Sequence, residues 1–165
     1  MNGLMKIDNI LNNHFKDFEL TFTVGTDFEC WVGENLITYA LAVANRTNEW
    51  FMENFRSLAP DIECDFFLAS LLHEVGHTET YFALTDDENV ECFNAKMELG
   101  RRMDAEPSND ELKNIYFEYF NLPDEYEATM WAIEYMRNNS EEIGALWEKL
   151  KVAIKEFYIV NGVEV

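Results

Sequence analysis

Apolar and polar positions along this chain change period at about residue 45. Residues 17 to 43, DFELTFTVGTDFECWVGENLITYALAV, are rich in Phe, Thr, Val, Ile and Tyr and are interrupted at Val24-Gly25-Thr26 and Gly33-Glu34-Asn35. That pattern predicts two or three short antiparallel strands, although ENLITYALAVA would also suit the opening of a helix. From Asn48 onward the spacing becomes helical. One helix is expected over 47–58, and a second opens near Pro60 and runs to about Phe82. DENVECFNAKMELGRRM forms a third, ended by Pro107-Ser108-Asn109, and DELKNIYFEYF a fourth. Pro123 starts a fifth that runs to about Arg137. The sixth, SEEIGALWEKLKVAIKEFYIV, has Ser140 as its expected N-cap and acidic residues in its first turn. The expectation is a single helix-rich α+β domain with a small N-terminal antiparallel or mixed sheet.

The second helix carries FFLASLLHEVGHTETYF, in which His73 and His77 lie four apart with Glu74 directly after the first. On a helix, residues four apart share a face, so both imidazoles can point at one ion. Glu74 lies about 100° round from His73, flanking the pair, where it can hold a water and take its proton. Ala69, Ser70, Thr80 and Tyr81 on the motif face are mostly small or polar and suit a cleft floor. Phe67, Leu68, Leu71, Leu72, Val75 and Phe82 form an apolar anchor opposite. Mid-helix Gly76 costs about 1 kcal/mol against alanine, which argues for a close backbone approach there. The chain holds three histidines and places two of them at this spacing, inside one of its most apolar segments. Buried polar groups need partners, and a metal ion would be one.

A catalytic zinc site has three protein ligands and an open position. No histidine follows His77, and His14 falls in an N-terminal segment expected to be mobile, with its imidazole at the surface. A carboxylate is therefore needed, and LPDEYEATMWAIEYMRNN (122–139) offers one. At 100° per residue, Glu125 falls among Ala128, Thr129, Ala132 and Met136, whereas Glu127 and Glu134 fall on the side of Arg137. An acid inside an apolar stripe needs a cation. Glu125 is the expected third ligand, with Glu127 and Asp124 as alternatives. The plainer reading of Glu125 is an acid favoured by the helix dipole.

Composition narrows the surroundings. The 165 residues are 48% hydrophobic and carry 32 acidic against 12 basic side chains, a formal charge of −20. The chain is too apolar for disorder. Such a charge repels nucleic acid and anionic membranes and attracts basic partners. Cys30, Cys64 and Cys92 are odd in number and lack CxxC spacing, which argues against a disulfide framework or a cysteine zinc cluster. MNGLMKIDNILNNHF lacks the apolar run of a signal peptide, and no stretch approaches a membrane span, so the expected location is cytoplasmic.

HEVGH, followed 48 residues after His77 by EYEATMWAIEYM, resembles the gluzincin metallopeptidases, whose pattern is HExxH and then E-x-x-A-[D/N] on a later helix. The wording is most similar to small phage and bacterial gluzincins of the ImmA/IrrE kind, and to the glutamate helix of integral-membrane zincins. The resemblance implies one zinc ion held by His73, His77 and Glu125, with Glu74 as catalytic base. It also implies a zincin core, in which a small sheet lies over the active-site helix and pairs its edge with an extended substrate. Thr129 stands where the family usually has Asp or Asn supporting a ligand histidine; it can accept that hydrogen bond but brings no charge. The expected function is a zinc endopeptidase acting on a protein or peptide substrate of basic character. Tyr81, Tyr116 and Tyr119 are conceivable oxyanion donors, more simply read as core or surface aromatics. The alternative is an acidic zincin-like binding or inhibitor protein, phage-borne, whose surface imitates nucleic acid.

Overall fold

Local rules set several of the helix starts. The computed structural model describes residues 3–41 and 46–161. It contains α1 (Gly3–His14), β1 (Thr21–Val24), β2 (Glu29–Trp31), β3 (Leu36–Tyr39), α2 (Arg46–Leu58), α3 (Phe66–Thr80), α4 (Asp86–Asp104), α5 (Asn109–Phe120), α6 (Pro123–Asn138) and α7 (Ser140–Val160). The chain is a helix-rich α+β protein with a small mixed sheet. Capping boxes open two of the helices: Thr85 with Glu88 at α4, and Ser108 with Glu111 at α5.

Several expectations are corrected. The helix expected from Pro60 starts at Phe66, because the Asp65 carboxylate accepts the Phe67 N–H at 2.9 Å and caps it there. Ser140 is the first residue of α7 and not its cap; Asn139 holds the cap position and makes no side-chain capping bond. The N-terminal segment expected to be mobile is α1, and the His14 side chain at its end is only 10% exposed.

The chain forms two compact units, which divide it within α6. The first comprises residues up to 42 and from Tyr135 onward. Here α1 packs on α7 and on β1, burying Ile7, Leu11, Phe15, Phe22, Ile37, Leu146 and Leu150. The strand order is β1-β3-β2. β1 pairs parallel with β3 in the register Thr21↔Leu36 to Val24↔Tyr39, and β2 pairs antiparallel with β3 from Glu29↔Thr38 to Trp31↔Leu36. Of the two arrangements expected, antiparallel or mixed, the sheet is mixed: β3 enters between its two predecessors. The break expected at residues 33–35 is present, and Asn35 takes the left-handed conformation (φ 50°) that leads into β3. ENLITYALAVA contributes a strand and not a helix as far as it is described; residues 42–45 lie outside the described residues.

The second unit, residues 43–134, holds α2 to α5 and most of α6. α2 packs on α3 and α5, and α4 packs on α5. Its core includes Phe51, Phe55, Leu71, Leu72, Val75, Cys92, Leu99, Ile115, Phe120, Ala128 and Ala132. Phe51 makes edge contacts with Phe66, Phe120 and the ring of His73. Ion pairs Lys113–Glu53 and Arg102–Glu118 tie α5 to α2 and α4 at the surface, where each contributes little.

Candidate metal centre

α3 is buried along most of its length, from Phe67 to His73 and at Val75 and Gly76, including Ala69 and Ser70. The expected contrast between an apolar anchor and an open, small-residue floor is thus corrected: both sides pack. Phe82 is not an anchor. It lies beyond the helix, in a 3-10 turn over Tyr81–Ala83, and is 85% exposed.

What brings chemistry to this helix is its approach to α6. A Cβ built on Gly76 would lie 2.4 Å from the carbonyl oxygen of Ala128, so only glycine permits this spacing. The approach places the His73–His77 face against Glu125 and Thr129. His73 Nε2 lies 3.1 Å from Glu125 Oε2, His77 Nε2 lies 3.5 Å from the same oxygen, and the two Nε2 atoms are 3.1 Å apart. Zinc–nitrogen bonds of about 2.0–2.1 Å at tetrahedral angles would put ligand atoms roughly 3.3 Å apart, so the spacing fits a small divalent ion. His73, His77 and Glu125 form a cluster able to hold a metal, with His73 and Glu125 buried.

Thr129 sets the tautomer of His73. Its hydroxyl donates to the Glu125 carbonyl oxygen at 2.9 Å, leaving lone pairs to accept from His73 Nδ1–H at 3.0 Å. With the proton on Nδ1, the lone pair of neutral His73 is on Nε2, facing the cluster. Thr129 is 2% exposed and Glu125 is 3% exposed.

The electrostatics are those of a buried acid among bases. Burial alone would raise the Glu125 carboxyl, yet the His73 and His77 imidazoles beside it, which donate to it and carry charge when protonated, hold it well below the usual carboxylate range. Burial likewise opposes charge on His77, but the hydrogen bond and charge of Glu125, with the charge of Glu74, raise it above the ordinary imidazole value. Glu74 is half-buried, and its charge is felt at His77 and at Tyr119. Of the two alternatives to Glu125, Glu127 is exposed, and Asp124 pairs with Lys96 at 2.5 Å.

Lys96 escaped the sequence reading. Its ammonium sits 2.5 Å from Glu125 Oε1 and 5.3 Å from the centre of the Tyr119 ring. A signal existed: Cys92, Lys96 and Leu99 fall on one face of α4, and Cys92 and Leu99 are buried, so the lysine stands in an apolar stripe as Glu125 does. Burial opposes its charge, but the charge and hydrogen bonds of Glu125 and Asp124 keep it raised. Among the tyrosines, Tyr119 lies nearest the cluster, and burial together with the charge of Glu125 drives its hydroxyl pKa far upward. Tyr116 packs on Trp50, and Tyr81 is 46% exposed. No protein family, curated protein or solved structure matches the chain.

Proposed function

We propose that this protein is a zinc-dependent endopeptidase, a gluzincin in which His73, His77 and Glu125 hold the ion and Glu74 is the base. The observation that carries the reading is the convergence of two helix-borne imidazoles and a buried carboxylate, with a second carboxylate beside the first histidine. The zincin core implied by the resemblance belongs to this proposal, as does a cytoplasmic peptidase role. Among the described residues no helix is long and apolar enough to cross a membrane.

Zinc, when bound, supplies a Lewis acid that acidifies water and polarises a carbonyl. The chain's own residues do the rest. Thr129 fixes His73 with its Nε2 lone pair inward. Glu74 accepts a proton from the attacking water and returns it to the leaving amine nitrogen. The acidic surface favours substrate segments rich in lysine or arginine.

The −20 charge also favours a second reading, an acidic binding or inhibitor protein on the same scaffold that occupies a basic partner. The test is zinc content and peptide hydrolysis measured on wild type, Glu74→Gln and Glu125→Ala, with Glu127→Ala as control. The peptidase reading expects one zinc per chain in wild type, Glu74→Gln and Glu127→Ala, loss of zinc in Glu125→Ala, and hydrolysis abolished in Glu74→Gln. Zinc-loaded wild type that cuts no unfolded basic protein would leave the binding reading. Wild type that takes up no zinc would sink the metallopeptidase.

A further inference from the structure

The two oxygens of Glu125 have different neighbours. Oε2 faces the histidines, 3.1 Å from His73 Nε2 and 3.5 Å from His77 Nε2. Oε1 lies 2.5 Å from the ammonium of Lys96. That ammonium is fixed from a second side by Asp124 Oδ2 at 2.5 Å, and the Tyr119 ring lies beside it. Lys96 of α4 thus joins two carboxylates of α6, with Tyr119 of α5 beside it.

An ammonium has three donors and no acceptor, so Lys96 cannot itself be a ligand. As a cation it repels a metal ion nearby, so its place at the cluster is not explained by metal attraction. Its effect on Glu125 is geometric. A carboxylate can bind an ion through one oxygen or both. With both, Glu125 and the two histidines would supply four ligand atoms, the closed set of a structural zinc site. With one they supply three and leave a position open.

We propose that Lys96 is a positioning residue that keeps Glu125 a one-oxygen ligand, engaging Oε1 so that only Oε2 can reach the metal and a coordination position stays open. This rests on the metal reading of the cluster, and it makes the lysine of α4 a determinant of whether the centre is catalytic or structural. A lysine serving only to tie α4 to α6 would change stability when replaced, but not the ligand set.

Cobalt(II) reports the difference, because a small ligand that enters an open position changes its visible absorption. Wild type, Lys96→Met and Lys96→Arg are each loaded with one equivalent of cobalt and titrated with imidazole. Wild type and Lys96→Arg are expected to shift their bands as imidazole takes the open position. Lys96→Met is expected to bind cobalt but show no shift, because the freed Oε1 fills that position. Lys96→Met that shifts as wild type does would overturn the proposal. X-ray absorption of zinc-loaded wild type reads the ligand set without any variant: one carboxylate oxygen is expected, and two would overturn the role of Lys96 while leaving the metal centre standing. Wild type that binds neither ion would remove the metal reading and this proposal with it.

Discussion

Thr129 carries two bonds at once, donating to the Glu125 carbonyl and accepting from His73 Nδ1. An acid or amide at this place would accept more strongly, but the hydroxyl does the geometric part of the task without adding another carboxylate to a site that already holds Glu125, Asp124 and Glu74. Replacing it with valine keeps the volume and removes the acceptor, leaving His73 Nδ1–H buried and unpaired. Thr129→Val is expected to weaken zinc binding about 10–100-fold, read by competition with a chelating dye, while Thr129→Asn retains most of it. Unchanged affinity in Thr129→Val would mean that the tautomer is set elsewhere. Lys96 and Glu125 show what residue-level reading can reach. Each is a charged side chain on an apolar helical stripe, but only the acid was expected, because only an acid fits a ligand set.

At the scale of elements, the centre depends on one helix crossing. Gly76 of α3 meets the backbone of Ala128 in α6 at a distance no Cβ tolerates. Gly76→Ala would gain about 1 kcal/mol of helix propensity. Against this, overpacking against a backbone atom costs about 3 kcal/mol. The balance is a loss of about 2 kcal/mol in urea denaturation, together with weakened zinc binding as His73 and His77 move from Glu125. Gly144 of α7 is the control, since a Cβ there meets nothing within 4 Å; Gly144→Ala should stabilise by about 0.5–1 kcal/mol. A stable, zinc-tight Gly76→Ala would refute the crossing as the determinant. The capping boxes of α4 and α5 show the other side of this scale: T-x-x-E and S-x-x-E set those starts locally. The Asp65 cap went unseen because Pro60 offered a competing start five residues upstream.

For the molecule as a whole, the −20 charge makes pH and salt matter, but the described histidine outside the centre has a separate effect. His14 Nε2 is buried and finds no hydrogen-bond partner among the described residues, while Nδ1 lies 3.7 Å from Glu142. Burial lowers its pKa below the ordinary 6.5, with Glu142 opposing and Lys149 assisting. The unfolded chain therefore takes up this proton at a higher pH than the folded one. Between those two values the unfolded state binds more protons, so stability falls as pH drops below about 6.5. Lowering the pH from 7.5 to 5.5 should lower the melting temperature of wild type more than that of His14→Gln. Equal shifts would show that His14 titrates as freely folded as unfolded.

The fold class, five of the seven described helices to within a few residues, and His73, His77 and Glu125 as candidate ligands were legible in periodicity and spacing, because helical period and helix face are set within a turn or two; the meeting of the three was not, since it needs the crossing of α3 and α6. α1 was not: nothing local distinguishes MNGLMKIDNILNNH from a loose terminus, and its helix is settled by packing on α7. The choice between an antiparallel and a mixed sheet was not, because strand direction follows from which partners are brought together and not from the strands themselves. Nor was the distinction between the two oxygens of Glu125. The sequence by itself determined which side chains could form a metal centre and offered Thr129 as support for a ligand histidine; only the tertiary structure decided that this histidine is His73 and that Lys96 holds Glu125, since both contacts join helices far apart along the chain.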